Sequence, residues 1–136
     1  MMHYDSYPDA RDHFAEILDA AERGRVATVR RDERASAVVD SERLRRLLAS
    51  GEPSRAEVSR EPDGWSVLVP AVPAAAEGGT FEEAVDEMVD ALREYAEDWQ
   101  RDPDAMVEHV DNWGLVQLVG LSDDEQLRDW LVSTAG

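Results

Sequence analysis

Arg11, Arg30, Arg31 and Arg34 are the side chains of this sequence whose type and spacing best suit recognition chemistry. A guanidinium is a planar fork of donors that can pair bidentately with a phosphate or with the edge of a guanine. Arg30, Arg31 and Arg34 flank Asp32-Glu33, so a single turn would gather all three. A plainer reading pairs these arginines with Asp9, Asp12 or Glu33 on a solvated surface, where ion pairs contribute little. His13 would share a face with Arg11, and the simplest reading makes it an exposed histidine without a role.

Residues for covalent or metal chemistry are scarce. No cysteine is present, which removes disulfides, thiolate ligands and thiol nucleophiles together. His3, His13 and His109 are scattered and show no spacing that would place two of them on one helix face toward a metal. No serine sits in a nucleophile-elbow pattern. Gly78-Gly79 lacks the lysine that a phosphate-cradling loop would need. The expected strand at Trp65–Val69 carries no carboxylate that a metal-dependent nuclease could use. The sequence predicts no catalytic residue, no metal site and no cofactor, and therefore a protein that is not an enzyme.

Charge divides the chain. Residues 1–48 hold nine arginines against ten carboxylates, a net of −1, whereas residues 49–136 hold five against twenty-one, a net of −16. Exposed charges are screened over about 8 Å at physiological salt, so each part presents its own field and not the total of −17. The longest apolar runs fall far short of a membrane span, and the first residues lack the basic and apolar regions of a secretory signal. A soluble cytoplasmic protein without membrane contact is the expectation.

The elements that must position these residues follow from periodicity and punctuation. Ser6 and Pro8 open a helix with a stripe at Ala10, Phe14, Ile17, Leu18 and Ala21, ended by Gly24. Val26–Arg30 and Ala35–Val39 read as a hairpin about Asp32-Glu33-Arg34, and Ser41-Glu42 open a short helix carrying Leu44, Leu47 and Leu48. Ala49–Ser54, with Ser50, Gly51 and Pro53, reads as a linker. Beyond it, Ala56–Arg60 and Trp65–Val69 flank the turn Glu61-Pro62-Asp63-Gly64, and an irregular stretch runs to Gly78-Gly79. Thr80 and Glu83 form a capping box for a long helix whose stripe is Phe81, Ala84, Val85, Met88, Leu92, Tyr95, Ala96 and Trp99. A short helix after Pro103, a strand over Leu115–Leu121 and a final helix capped by Ser122 and Glu125 complete the chain. No internal repeat or low-complexity segment is present.

Two stretches resemble known families. Residues 4–48, "DARDHFAEILDAAERG" followed by "VATVRRDERASAVVDSERLRRLL", resemble the Phd/YefM antitoxin N-terminal module in the order of helix, glycine, strand, turn, strand and helix. Where that family often has Arg-Gly-Lys at the turn, this chain has Asp32-Glu33-Arg34. Residues 56–99, with "DGWSVLVPAVP" and "GGTFEEAVDEMVDALREY", resemble a HicB-like antitoxin domain, a reduced RNase H-like fold. The resemblances imply an α+β protein of four parts. These are a Phd/YefM-like dimerisation and DNA-binding module over 1–50, a linker over 51–55, a HicB-like domain over 56–100, and an α/β C-terminal extension over 101–136.

The function so implied is that of a type II antitoxin that neutralises a cognate toxin and autoregulates its operon by binding operator DNA as a homodimer or higher even oligomer. Arg11 matches the basic position on the first helix of the Phd/YefM pattern, and with Arg30, Arg31 and Arg34 clustered at the hairpin the resemblance implies these four as the DNA-contacting residues. Toxins of this class are commonly ribonucleases with basic surfaces, onto which a strongly acidic segment would be steered. Lasting affinity needs apolar anchors, and Trp113, Leu115, Val116, Leu118, Trp130 and Leu131 are candidates, unless they form ordinary core. Two rival readings are an acidic protein–protein interaction scaffold without DNA binding and a stand-alone transcriptional repressor.

Overall fold

Ser6 stands in extended backbone and its hydroxyl accepts from the Asp9 N–H (3.4 Å), which starts the first helix with proline in its first turn. The computed structural model describes residues 2–73, 75–102 and 112–133. Its chain divides into two units, Met1–Arg46 and Leu47–Gly136, and is mixed α+β throughout.

In the first unit the expected single helix is two, α1 (Tyr7–Asp12) and α2 (Phe14–Glu22). The break falls at His13, where Nδ1 donates to the Asp9 carbonyl (2.8 Å). That carbonyl would otherwise take the His13 N–H, which bonds Ala10 O instead (3.1 Å), a tighter three-residue step. Ile17, Ala20 and Ala21 are buried, whereas Phe14 and Leu18, expected in the same stripe, are 50% and 45% exposed. Gly24 ends α2 at φ +83, a left-handed conformation that suits glycine at a helix C-terminus.

Strands β1 (Met2–Tyr4), β2 (Ala27–Arg31) and β3 (Arg34–Val38) form a sheet in that order. The first strand was not legible in the sequence; it pairs parallel with β2, Met2 opposite Ala27. β2 and β3 are the expected hairpin, in a register that pairs Arg31 with Arg34 across a two-residue turn. A small core of Ala10, Ile17 and Ala27, with Met2, Tyr4, Val29 and Val38 against it, holds helices and sheet together. Helix α3 (Ser41–Gly51) is capped by Asp40, whose carboxylate accepts from the Arg43 N–H (2.9 Å), and not by Ser41.

The expected linker over 51–55 is tied down. Ala49 to Gly51 belong to α3, and the Glu52 carbonyl accepts from the Trp130 indole (2.8 Å). Ser54 is buried and donates to the Leu131 carbonyl (3.4 Å).

The second unit is a meander of β4 (Glu57–Glu61), β5 (Gly64–Leu68) and β6 (Ala75–Gly78) with the long helix α4 (Phe81–Arg101) packed on β5 and β6. β6 lies in the stretch expected to be irregular, and Ala75 to Gly78 pair with Leu68 to Trp65. Thr80 caps α4 as expected, its hydroxyl accepting from Glu83 N–H (3.1 Å), while the Glu83 carboxylate accepts from Gly79 N–H (3.0 Å).

The C-terminal part corrects the sequence reading. The run expected as a strand, Leu115–Leu121, lies in a helix, α5 (Trp113–Leu121), and no strand occurs among the described residues of 101–136. A short apolar run fits a buried strand or a buried helix equally well by pattern alone. Here it packs on α4 and buries Leu115, Val116, Leu118 and Val119. The last helix, α6 (Asp124–Ser133), is capped by Asp123 with Gln126, which exchange two hydrogen bonds of 2.7 and 2.9 Å, and not by Ser122 with Glu125. Ser122 instead donates to Leu118 O (2.6 Å) at the end of α5. α5 and α6 thus share one core with α4 and the sheet, so the described residues 112–133 contribute to this core. The helix expected after Pro103 lies outside the described residues.

Two stability predictions follow from local geometry. A Cβ on Gly78 would collide with the backbone nitrogen of Ala84 and with Glu83. Gly78→Ala should therefore destabilise the second unit by about 1–3 kcal/mol in denaturant unfolding. In the first unit, the Arg45 guanidinium, with help from Arg46, holds the Glu42 carboxyl down to about 2 from its ordinary 4.5. Its stabilising contribution is complete above pH 4.5 and lost as pH falls through about 2. Glu42→Gln should flatten the acid side of the melting profile across that window, by a small amount because the Glu42 side chain is largely open to solvent.

Candidate functional site

β2 is the central strand of its sheet, and alternation along it decides where its two arginines point. Ala27 and Val29 face the helices and the small core, so Arg31 shares their side and Arg30 the other. The Arg31 guanidinium carbon lies 5.8 Å from the Tyr7 ring centroid, a cation–π distance that braces it from α1. Arg34 is directly opposite Arg31 on β3. Two like charges at a cross-strand position repel, and an anion between them relieves that cost.

The turn between them is acidic but geometrically apt. Asp32 takes φ +56, a left-handed conformation that aspartate tolerates better than most residues. It therefore fills the place where a glycine would be expected, with no loss of the two-residue turn.

Arg30 sits on the open sheet face with Thr28 and His3, whose Nδ1 lies 2.7 Å from the Thr28 hydroxyl. Arg11 comes from a separate element, α1, is exposed, and its Nε donates to Asp12 (3.3 Å). The hairpin therefore gathers three of the four predicted arginines, with Arg31 and Arg34 on one face. His13 is not idle: its ring closes the α1–α2 break and stacks at 5.6 Å on Tyr4. Its bond to the Asp9 carbonyl, aided by nearby Glu16, Asp12 and Asp9, raises its pKa above 6.5.

In the second unit the predicted anchors are mostly core. Leu115, Val116, Leu118, Trp130 and Leu131 are buried, Leu118 and Leu131 at 1% exposure, and they pack with α4. A partner meeting the folded unit cannot reach them. Trp113 differs, being 52% exposed at the start of α5. Alternating Leu and Val in this run signalled apolar character but not which side faced solvent.

Arg93 is a residue the sequence did not single out. Its guanidinium donates to Val119 O (2.6 Å), Ser122 O (2.8 Å) and Asp124 Oδ1 (2.9 Å), which closes the carbonyl end of α5 and ties it to α6. Around these clamps α4 exposes a run of carboxylates that begins at Glu82. Among the described residues, no group of His, Asp or Glu is placed to hold a metal ion, and no helix is long and apolar enough to cross a membrane.

The first unit thus presents paired arginines at its hairpin, and the second an acidic helical face. A family model named PHD-like, described as antitoxin of toxin–antitoxin, RelE/RelB, TA system, matches residues 1–112. The chain belongs to this family and is an antitoxin of a toxin–antitoxin system, with a cognate toxin as the partner that membership implies. Its fold is similar to a crystal structure from Syntrophomonas wolfei subsp. wolfei, described as the antitoxin part of a proposed toxin/antitoxin system. The two share 18% identity over 96% of each chain, with a TM-score of 0.80. A search of curated proteins finds no significant match.

Core and surface positions should separate in mutants. Leu118→Ala should cost about 2–5 kcal/mol of stability by leaving a cavity. Trp113→Ala should stay within about 0.5 kcal/mol in the same unfolding measurement.

Proposed function

We propose that this antitoxin binds its own operator DNA through the first unit and blocks its toxin through the second, as in type II systems. The observation that carries the DNA reading is the Arg31–Arg34 cross-strand pair, with Arg30 beside it and Tyr7 bracing one member. A like-charge pair at a hairpin end, with no ion pair to either arginine among the described residues, suits an anion, and DNA phosphates supply a regular row of them. Arg11 adds a contact from α1, where the Phd/YefM resemblance puts a basic residue.

Homodimerisation completes this reading. Phe14 and Leu18 lie one turn apart on α2 and are exposed, which supports burial against a second copy. Two-fold symmetry would then match a palindromic operator, and repression of the operon would follow from occupancy. The cell compartment in which this happens is the cytoplasm, where operator and toxin both reside.

For the toxin, the −16 charge of residues 49–136 supports a basic, RNA-cleaving partner. An acidic surface competes with RNA for the cations that bind phosphate, and it accelerates encounter. The HicB-like motif "GGTFEEAVDEMVDALREY" agrees with an inhibitory role for α4 and its neighbours.

Fluorescence anisotropy with the full chain and its own promoter tests the DNA half. Arg30→Ala, Arg31→Ala, Arg34→Ala and Arg11→Ala should each weaken binding and reduce the slope of log K against log salt by about 1. Unchanged affinity and slope in all four variants would remove the DNA role from this unit. Co-purification of the chain with the protein encoded by the adjacent reading frame tests the toxin half.

A further inference from the structure

α4 and α6 leave an open groove of about 290 Å³ between them, lined by Phe81, Glu82, Val85, Asp86, Arg128 and Val132. Its apolar wall is partly uncovered, with Val132 38% exposed and Phe81 half-buried. The Arg128 guanidinium donates to Asp86 across the groove (2.6 Å), which braces the two helices there. Its charged lining is Glu82 and Asp86 against Arg128, and the helices that form it are acidic beyond the groove, α4 with eight carboxylates against two arginines and α6 with three against one. Each of those arginines is already engaged, Arg93 with Asp124, Arg101 with Asp98 and Arg128 with Asp86, so the surplus of carboxylate faces outward.

Charge and size select among occupants. The same unit of a second copy, with residues 49–136 at −16, would bring the same sign to this rim. Anionic lipid is repelled for the same reason. The volume lies at the floor of about 300 Å³ seen for small-molecule pockets, and suits an inserted side chain better than a cofactor. What remains is a polypeptide with an apolar anchor and flanking cations.

We propose that the α4–α6 groove receives an apolar side chain from a basic segment of the cognate toxin, whose Lys or Arg residues meet the carboxylates at the rim. This rests on the reading that the second unit binds the toxin, and it replaces the buried anchors expected from the sequence with Phe81 and Val132, over a floor formed by buried Val85. The apolar contact sets how long the complex lasts, while the rim sets how fast and with which partner it forms.

Because the chain has no cysteine, Val132→Cys carries a unique thiol for a benzophenone photocrosslinker. Irradiated with the protein encoded by the adjacent reading frame, the full-length variant should give a covalent heteromeric product. The same label at Ser59→Cys, on β4, should not. Val132→Arg should lower the affinity for that protein at least tenfold. Glu82→Lys should lower it too, with a loss that shrinks at high salt. Glu82 is exposed, so that variant keeps its fold even if Val132→Arg does not. Wild-type affinity in both variants, or crosslinking from Ser59→Cys alone, overturns the groove while toxin binding stands. Failure of the unmodified chain to bind the adjacent protein overturns toxin binding, and the groove with it.

Discussion

The second unit depends on the apolar stripe of α4, which has to serve two neighbours at once. Ala84, Val85, Met88, Val89, Leu92, Ala96 and Trp99 are all buried on this one helix. One flank covers β5 and β6, and another receives α5 and α6. A stripe wide enough for both leaves only a narrow solvent face, on which the carboxylates of α4 are concentrated. The close approach also explains Gly78: α4 begins so near the end of β6 that the strand has no room for a side chain at that position. Arg93 acts at the far flank, where it satisfies carbonyls at the end of α5 that the helix itself cannot.

The first unit is organised on a different scale. Its buried side chains are Ile17 and four alanines, with a rim of half-buried ones, so the sheet keeps an open face and the helices keep exposed Phe14 and Leu18. A unit with this little burial leaves much of its apolar surface in water. The antitoxin thus joins a unit whose hairpin presents paired arginines to one whose long helix presents carboxylates.

Much of this was legible because it is local. Ser6 capping α1, Gly24 ending α2, a hairpin turning at Asp32-Glu33-Arg34, which proved to be one residue tighter, and the Thr80–Glu83 capping of α4 each depend on residues a few positions apart. What was misread depends on distant contacts. β1 and β6 exist through the strands they pair with, since "MHY" and "AAEG" have little strand character of their own. The break at His13 hinges on a ring nitrogen taking a carbonyl, which periodicity does not register. α5 is helical because α4 offers it an apolar surface, and the anchors sought in it are buried for the same reason.

The sequence by itself determined the charge division, the arginines at the hairpin, the capping of the long helix and the kinship with antitoxins, because residue type and short spacing carry all of these. Tertiary structure alone decided which apolar residues are core and which are surface, that the expected linker is fastened by Ser54 and the Glu52 carbonyl, and that Phe81, Val85 and Val132 line a groove. The physical reason is that burial belongs to pairs of elements: an apolar side chain states that it prefers to leave water, but only the element packed against it determines whether it does.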